Sequence, residues 1–240
     1  MKEDRKFYKN PEDFLSSSFQ SHTNLEIKLS NSDNNFKQES CLGSLLQSCQ
    51  NIANLKLLFQ EAVIRDIGAQ VLSSDLEKFT NLSKLVINLK QEQFSLFDYQ
   101  YCFIQNLYSF LYINIKSNNS ISQLGVQSLS SSLKKYTKLS KLKLHFHSNE
   151  IGIDGIKALG SAIIQLPNLQ SLDISFQYSN IGNQGLNEFV EYLVNCTQLT
   201  KLNLYLCSND ISLEGIQSLG YMVSKCVNLQ DIYLDLAQGY

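Results

Sequence analysis

One hydrophobic pattern recurs eight times along this chain at intervals close to thirty residues. In the clearest copy its slots are filled by Leu199, Leu202, Leu204, Leu206, Asn209, Ile211, Gly215 and Leu219. Thirty residues earlier they hold Leu169, Leu172, Ile174, Phe176, Ser179, Ile181, Gly185 and Phe189. A further thirty back they hold Leu139, Leu142, Leu144, Phe146, Asn149, Ile151, Gly155 and Leu159. A fixed period of this size excludes most folds. A unit this short cannot bury its own apolar face, so it must stack on its neighbours in a solenoid.

The register runs the length of the chain. One leucine slot falls at Leu25, Leu55, Leu85, Leu111, Leu142, Leu172, Leu202 and Ile232, with steps of 30, 30, 26, 31, 30, 30 and 30. The residues two and four further on are apolar in every copy, from Ile27 and Leu29 to Leu234 and Leu236. Alternation with period two over a short run predicts a strand with one face buried. The second half of each unit changes period. After the glycine slot (Gly68, Gly125, Gly155, Gly185, Gly215), apolar residues follow at four and eight, as in Leu129 and Leu133 or Leu159 and Ile163. That spacing is one stripe of a helix. The glycine is expected to serve a tight loop-to-helix turn or close backbone packing. Small residues five further on (Gly43, Ser73, Ser130, Gly160, Gly220) are expected to let adjacent helices approach.

The stretch Leu-x-x-Asn-x-Ile-x-x-x-Gly-x-x-x-Leu from Leu206 to Leu219 resembles the leucine-rich repeat family in its ribonuclease-inhibitor-like subclass, and the resemblance covers about residues 22–236. It implies an α/β fold: a curved, horseshoe-shaped solenoid with an inner parallel β-sheet of about eight strands and outer helices. The units depart from the family in length, since the apolar strand run is one step longer. Residues 1–21 are expected to form an N-terminal capping segment and 22–240 the repeat domain. The third repeat, at about 90–115, is expected to be irregular: it is four residues short, lacks the glycine, and is dense in aromatics from Phe94 to Phe103.

Composition narrows the function classes. A net charge of −2 gives no bulk attraction toward nucleic acid or anionic membrane. No apolar run approaches the roughly eighteen residues of a membrane span, and Met1–Phe14 has no apolar core to serve as a secretory signal. A cytoplasmic location is expected. Cys49, Cys196 and Cys226 share a slot filled elsewhere by Phe79, Tyr136 and Leu166, so they are expected to be reduced core thiols. No phosphate-binding glycine loop, nucleophile elbow or zincin motif is present. His145 and His147 share a face, but no third ligand has a firm place near them. No catalytic residue, cofactor or metal is expected.

Function is therefore sought on the inner, concave face, where the residues between the buried ones point outward. The candidates for partner binding are Lys84, Phe110, Tyr112, Asn114, Lys141, Lys143, His145, Asp173, Asn203, Tyr205, Tyr233 and Asp235. Lys84, Lys90, Lys116, Lys141 and Lys143 make the middle basic, and aromatics lie between the charges, a mixture that interfaces favour. The expected function is a non-enzymatic protein-interaction module or scaffold, part of a larger assembly. The family resemblance implies such roles, including cytoskeletal or flagellar components. Regulation of a small GTPase, in the manner of one branch of the family, is an alternative, although that branch's acidic tail is missing here. Single-stranded nucleic-acid binding through lysines and tyrosines ranks third. Finally, strand 231–236 carries Ile232, Leu234 and Leu236 with no helix after it, so another chain is expected to cover it.

Overall fold

The computed structural model describes residues 24–30, 54–60, 65–76, 84–88, 109–114 and 121–237. Eight strands follow one another: β1 (Asn24–Ser30), β2 (Asn54–Gln60), β3 (Lys84–Asn88), β4 (Ser109–Asn114), β5 (Leu139–His145), β6 (Ser171–Ser175), β7 (Lys201–Tyr205) and β8 (Asp231–Asp235). Five helices are described between them: α1 (Arg65–Leu76), α2 (Gln123–Leu133), α3 (Gly152–Ile163), α4 (Gly182–Val194) and α5 (Leu213–Lys225). All eight strands form one parallel sheet in sequence order. Parallel neighbours require a crossover, and the helices provide it on one side of the sheet. The result is a leucine-rich-repeat-like α/β solenoid. The N-terminal segment 1–21, the aromatic stretch Phe94–Phe103, Cys41, Cys49 and Cys102 lie outside the described residues.

The pairing register follows the sequence period. Leu25, Leu55, Leu85, Leu111, Leu142, Leu172, Leu202 and Ile232 stand side by side across the sheet. The short step of 26 is absorbed outside the strands, because Leu85 still pairs with Leu111. The long step of 31 is absorbed inside one. Ser109 pairs with Leu139 but Phe110 pairs with Lys141, so Ser140 is an extra residue at a bulge, and it is buried.

The core lies between sheet and helices. Leu142, Leu144, Leu172, Ile174, Leu202 and Leu204 supply the strand layer, and Ile156, Leu159, Leu186, Phe189 and Leu219 the helical one. Phe146 and Phe176, one repeat apart, stack with centroids 6.4 Å apart, and Phe189 meets Phe176 edge-on at 5.2 Å. Polar groups inside this core are satisfied, as burial demands. Asn209 accepts from the backbone N–H groups of Ser179 and Ile181 and donates to the carbonyls of Phe176, Leu206 and Cys207. Asn149 occupies the same slot one pair of repeats earlier and accepts from Ile121 N–H.

The glycine slot serves packing rather than the turn. Gly125, Gly155, Gly185 and Gly215 are buried at the seam with the preceding repeat, and none has a positive φ. The left-handed glycines lie three positions earlier, at Gly152 (φ 60°) and Gly182 (φ 58°). In the same slot of the flanking repeats, Ser122 and Ser212 keep extended backbone and cap their helices by accepting from Leu124 and Glu214 N–H. One slot thus has two solutions, a side-chain cap or a left-handed glycine. Of the small residues expected to admit a neighbouring helix, Gly160 does so: a Cβ there would meet the Tyr192 ring at 2.2 Å. Gly220, on the last described helix, has nothing within 4 Å of that position.

Cys196 and Cys226 pack against the core but are half-buried rather than sealed, because their slot lies at the rim where helix returns to strand. Burial, reinforced by Cys226 nearby, pushes the Cys196 thiol up to about 12. At neutral pH its thiolate population is then roughly a thousandfold below that of an ordinary thiol, and the thiolate is the reactive form. Thiol labelling of the native protein is expected to spare Cys196 and to reach it on denaturation. Equal rates before and after denaturation would refute its placement.

Candidate functional site

Alternation places every second strand residue on the sheet face turned away from the helices, and pairing lines these residues up in rows. One row reads Glu26, Lys56, Val86, Tyr112, Lys143, Asp173, Asn203 and Tyr233; the next reads Lys28, Leu58, Asn88, Asn114, His145, Ser175, Tyr205 and Asp235. Lys84, Phe110 and Asn114 hold their predicted places in β3 and β4, and their side chains lie outside the described residues.

The two halves of this face differ. Leu58, Val86 and Tyr112 all stand in these outward rows, yet all three are buried. For Tyr112 the reason lies on the next strand. Lys143 Nζ sits 5.1 Å over its ring, and His145 meets the ring edge-on at 5.8 Å. Lys56 and Glu26 form an ion pair at 2.8 Å in the same half. Among the described face residues, Lys141, Lys143, His145, Asp173, Asn203, Tyr205 and Asp235 of β5–β8 are half-buried and Tyr233 is exposed, while Glu26 and Lys56 are half-buried on β1 and β2.

Asp173 is the centre of that half. Its Oδ1 lies 2.8 Å from His145 Nε2, its Oδ2 accepts from Asn203 at 3.2 Å, and Lys143 stands 3.6 Å away. A carboxylate accepts only, so the His145 nitrogen that faces it carries the proton. Burial pushes the Asp173 titration up, but the His145 hydrogen bond and the Lys143 charge outweigh it and hold the carboxyl below its ordinary range. A depressed folded-state value stabilises the protein above the unfolded value, and that contribution vanishes as pH falls through the folded one. Asp173→Asn is therefore expected to cost about 1–2 kcal/mol near neutral pH. Its melting temperature should converge with the wild type's below the ordinary carboxylate range, and a constant gap at all pH values would show that charge is not what Asp173 contributes.

Rings cross the same area. His145 and Tyr205 are two strands apart, yet their centroids are 5.9 Å from each other. They meet above Ser175, the residue between them in the row, which is small and buried. Tyr205 then lies 5.3 Å from Tyr233. A continuous chain of rings, Tyr112–His145–Tyr205–Tyr233, thus spans β4 to β8. Burial raises the Tyr205 hydroxyl's titration, and Asp173, Tyr233 and Asp235 add to the effect. Beyond the strand ends lies a residue the alternation argument did not single out. Gln177 donates to Asp235 Oδ2 at 3.2 Å and faces His147 Nδ1 at 3.3 Å. The slot shared by His147, Gln177 and Cys207 would have found it had the outward row been followed one step past the strands.

Among the described residues no group of three His, Cys, Asp or Glu residues is placed to hold a metal ion, and no helix is long and apolar enough to cross a membrane. No family model and no curated protein matches the sequence. Among solved structures the chain is similar to actin-binding site 2 of leiomodin-1 (14% identity, 82% of this chain and 92% of that one, TM-score 0.46). It is also similar to the tropomodulin C-terminal domain of Caenorhabditis elegans (12% identity, 80% and 94%, TM-score 0.45). At such identities and scores, fold and function must be argued from this chain itself.

Proposed function

We propose that this protein is a non-enzymatic interaction module, of the ribonuclease-inhibitor-like kind with lengthened repeats, that binds a partner protein on the concave sheet face over β5–β8. The observation that carries the reading is the chain of rings running from the Asp173 centre to exposed Tyr233. None of these side chains is needed by the core on the other side of the sheet, and half-exposed aromatics beside charges are what binding hot spots are made of. The proposed role is that of a scaffold within a larger cytoplasmic assembly, with the partner contacting Lys141, Lys143, His145, Asn203, Tyr205, Tyr233 and Asp235.

The reading extends to the β8 side of the sheet. Ile232, Leu234 and Leu236 are half-buried there, whereas their counterparts Leu202, Leu204 and Leu206 have no exposure at all. Another chain packed on β8 would remove that apolar surface from water.

Crosslinking of the full chain in native extract, followed by mapping of the linked residues, tests the main reading. Crosslinks are expected on the β5–β8 face. The double variant Tyr205→Ser, Tyr233→Ser should lose the linked protein, and Leu213→Ser on α5 should keep it. Crosslinks confined to the helices, or retention by the double variant, would move the site elsewhere. GTP hydrolysis by small GTPases in the presence of the protein distinguishes this role from GTPase activation.

A further inference from the structure

The charge pattern of the proposed binding face bears on the chemistry of its partner. Three lysines on the concave sheet face, two of them within β5–β8, are matched by a carboxylate on the adjacent strand: Lys56 with Glu26, Lys143 with Asp173, and Lys201 with Asp231. The three pairs cancel, and Asp173 has further donors in His145 and Asn203. Asp235 is different. Its contacts are both to neutral groups, Gln177 Nε2 at 3.2 Å and the Ala237 backbone N–H at 3.2 Å. Among the described residues no lysine or arginine pairs with it. A carboxylate offers about four acceptor positions, so about two are left over.

The tyrosines stand beside that carboxylate. Asp235 pairs with Tyr205 across the strands, and Tyr233 lies two residues before Asp235 on the same face of β8. The Tyr205 and Tyr233 rings are tilted at 47° with centroids 5.3 Å apart, and Tyr233 is 51% exposed. An accessible ring face beside an uncompensated carboxylate suits a cation, which gains from the ring quadrupole and the charge together. An anion would meet Asp235 and find Lys143 and Lys201 already paired.

We propose that the Tyr205–Tyr233–Asp235 corner of the concave face receives an arginine or lysine side chain of the partner protein, seated against the tyrosine rings and paired to the Asp235 carboxylate. This rests on the reading of the concave face as a protein-binding surface and specifies its partner as basic at this point. Arginine fits better than lysine, because its planar guanidinium both stacks on a ring and presents paired donors to a carboxylate.

The test uses the full chain and fluorescein-labelled octapeptides of alternating glycine with arginine, lysine, glutamine or glutamate, read by anisotropy at physiological salt. The arginine peptide is expected to bind most tightly, followed by lysine, with glutamine and glutamate weakest. Tyr233→Leu and Asp235→Asn should each weaken the arginine peptide about fivefold. Asp210→Asn, an exposed carboxylate in the loop before α5, should leave it unchanged and so exclude a general attraction to acidic surface. Thermal melts of each variant confirm folding. Should either of the first two variants fail to fold, Tyr233→Phe, which keeps the ring, together with Gln177→Leu, which frees an acceptor position on Asp235, is expected to retain or tighten binding. Equal binding of arginine and glutamine peptides, no effect of the corner variants, or tighter binding of a fluorescein-labelled single-stranded oligonucleotide would overturn the proposal. If the arginine peptide fails while the double tyrosine variant still loses its crosslinked protein, the basic-partner inference falls and the concave-face reading stands.

Discussion

Replacing Leu204 by aspartate is expected to be the most damaging single change in the described part of the chain. Leu204 has no exposure and sits in the sheet between Ile174 and Leu234, under the helical layer. The change removes a leucine's worth of packing, about 2–5 kcal/mol, and adds a carboxyl group with no partner, which costs further whether it is ionised or held neutral. A loss of about 5 kcal/mol or more is a large share of a protein's total stability. Urea denaturation should find the variant unfolded, or melting at a far lower denaturant concentration. Leu204→Met, which keeps the volume, should stay within about 1.5 kcal/mol of wild type. A wild-type midpoint for the aspartate variant would mean that the strand register is wrong.

The second large effect is expected at Asn209, a residue that a hydropathy profile marks as polar and unremarkable. It is 1% exposed and ties together two repeats through five backbone groups. Asn209→Ala strands two buried N–H donors at once, each worth about 1–3 kcal/mol when left unpaired. A destabilisation of about 3–5 kcal/mol follows. Asn209→Ser should be milder, because Ser179 fills the equivalent slot and donates to the Phe146 and Gln177 carbonyls. Equal losses for alanine and serine would show that the hydroxyl cannot stand in for the amide.

The register was legible in the chain because a thirty-residue period states it eight times over. Even the step of 31 carried its cause, one extra residue, Ser140, between Leu139 and Leu142. The asparagine slot was visible as a recurring position, but its bonds to two repeats were not, since they depend on loop geometry that no spacing encodes. On the sheet face, alternation correctly put Lys143, Asp173, Tyr205 and Tyr233 on one side. It could not rank them by exposure. Tyr112 is buried because a lysine and a histidine thirty-odd residues later lean over it. The contact between His145 and Tyr205 needs the intervening residue to be as small as Ser175, and row membership alone does not reveal whether rings meet above it. The cysteine slot was correctly assigned next to the core, but whether a rim position is sealed depends on neighbours, and at Cys196 and Cys226 it is not.

Between repeats, each described helix packs on the helices beside it and each strand pairs with the strands beside it, while strand and helix of a repeat share the core. Mechanically such a body is a row of hinged plates rather than a block. Contacts such as His145 to Tyr205 and Gln177 to Asp235 reach only two strands along, so a small turn at each seam adds up to a larger change at the ends. A ligand that bridges β5 to β8 would brace the strip over a longer span. Its grip would be felt as stiffness along the strip, and amide exchange in strands it never touches would slow with it.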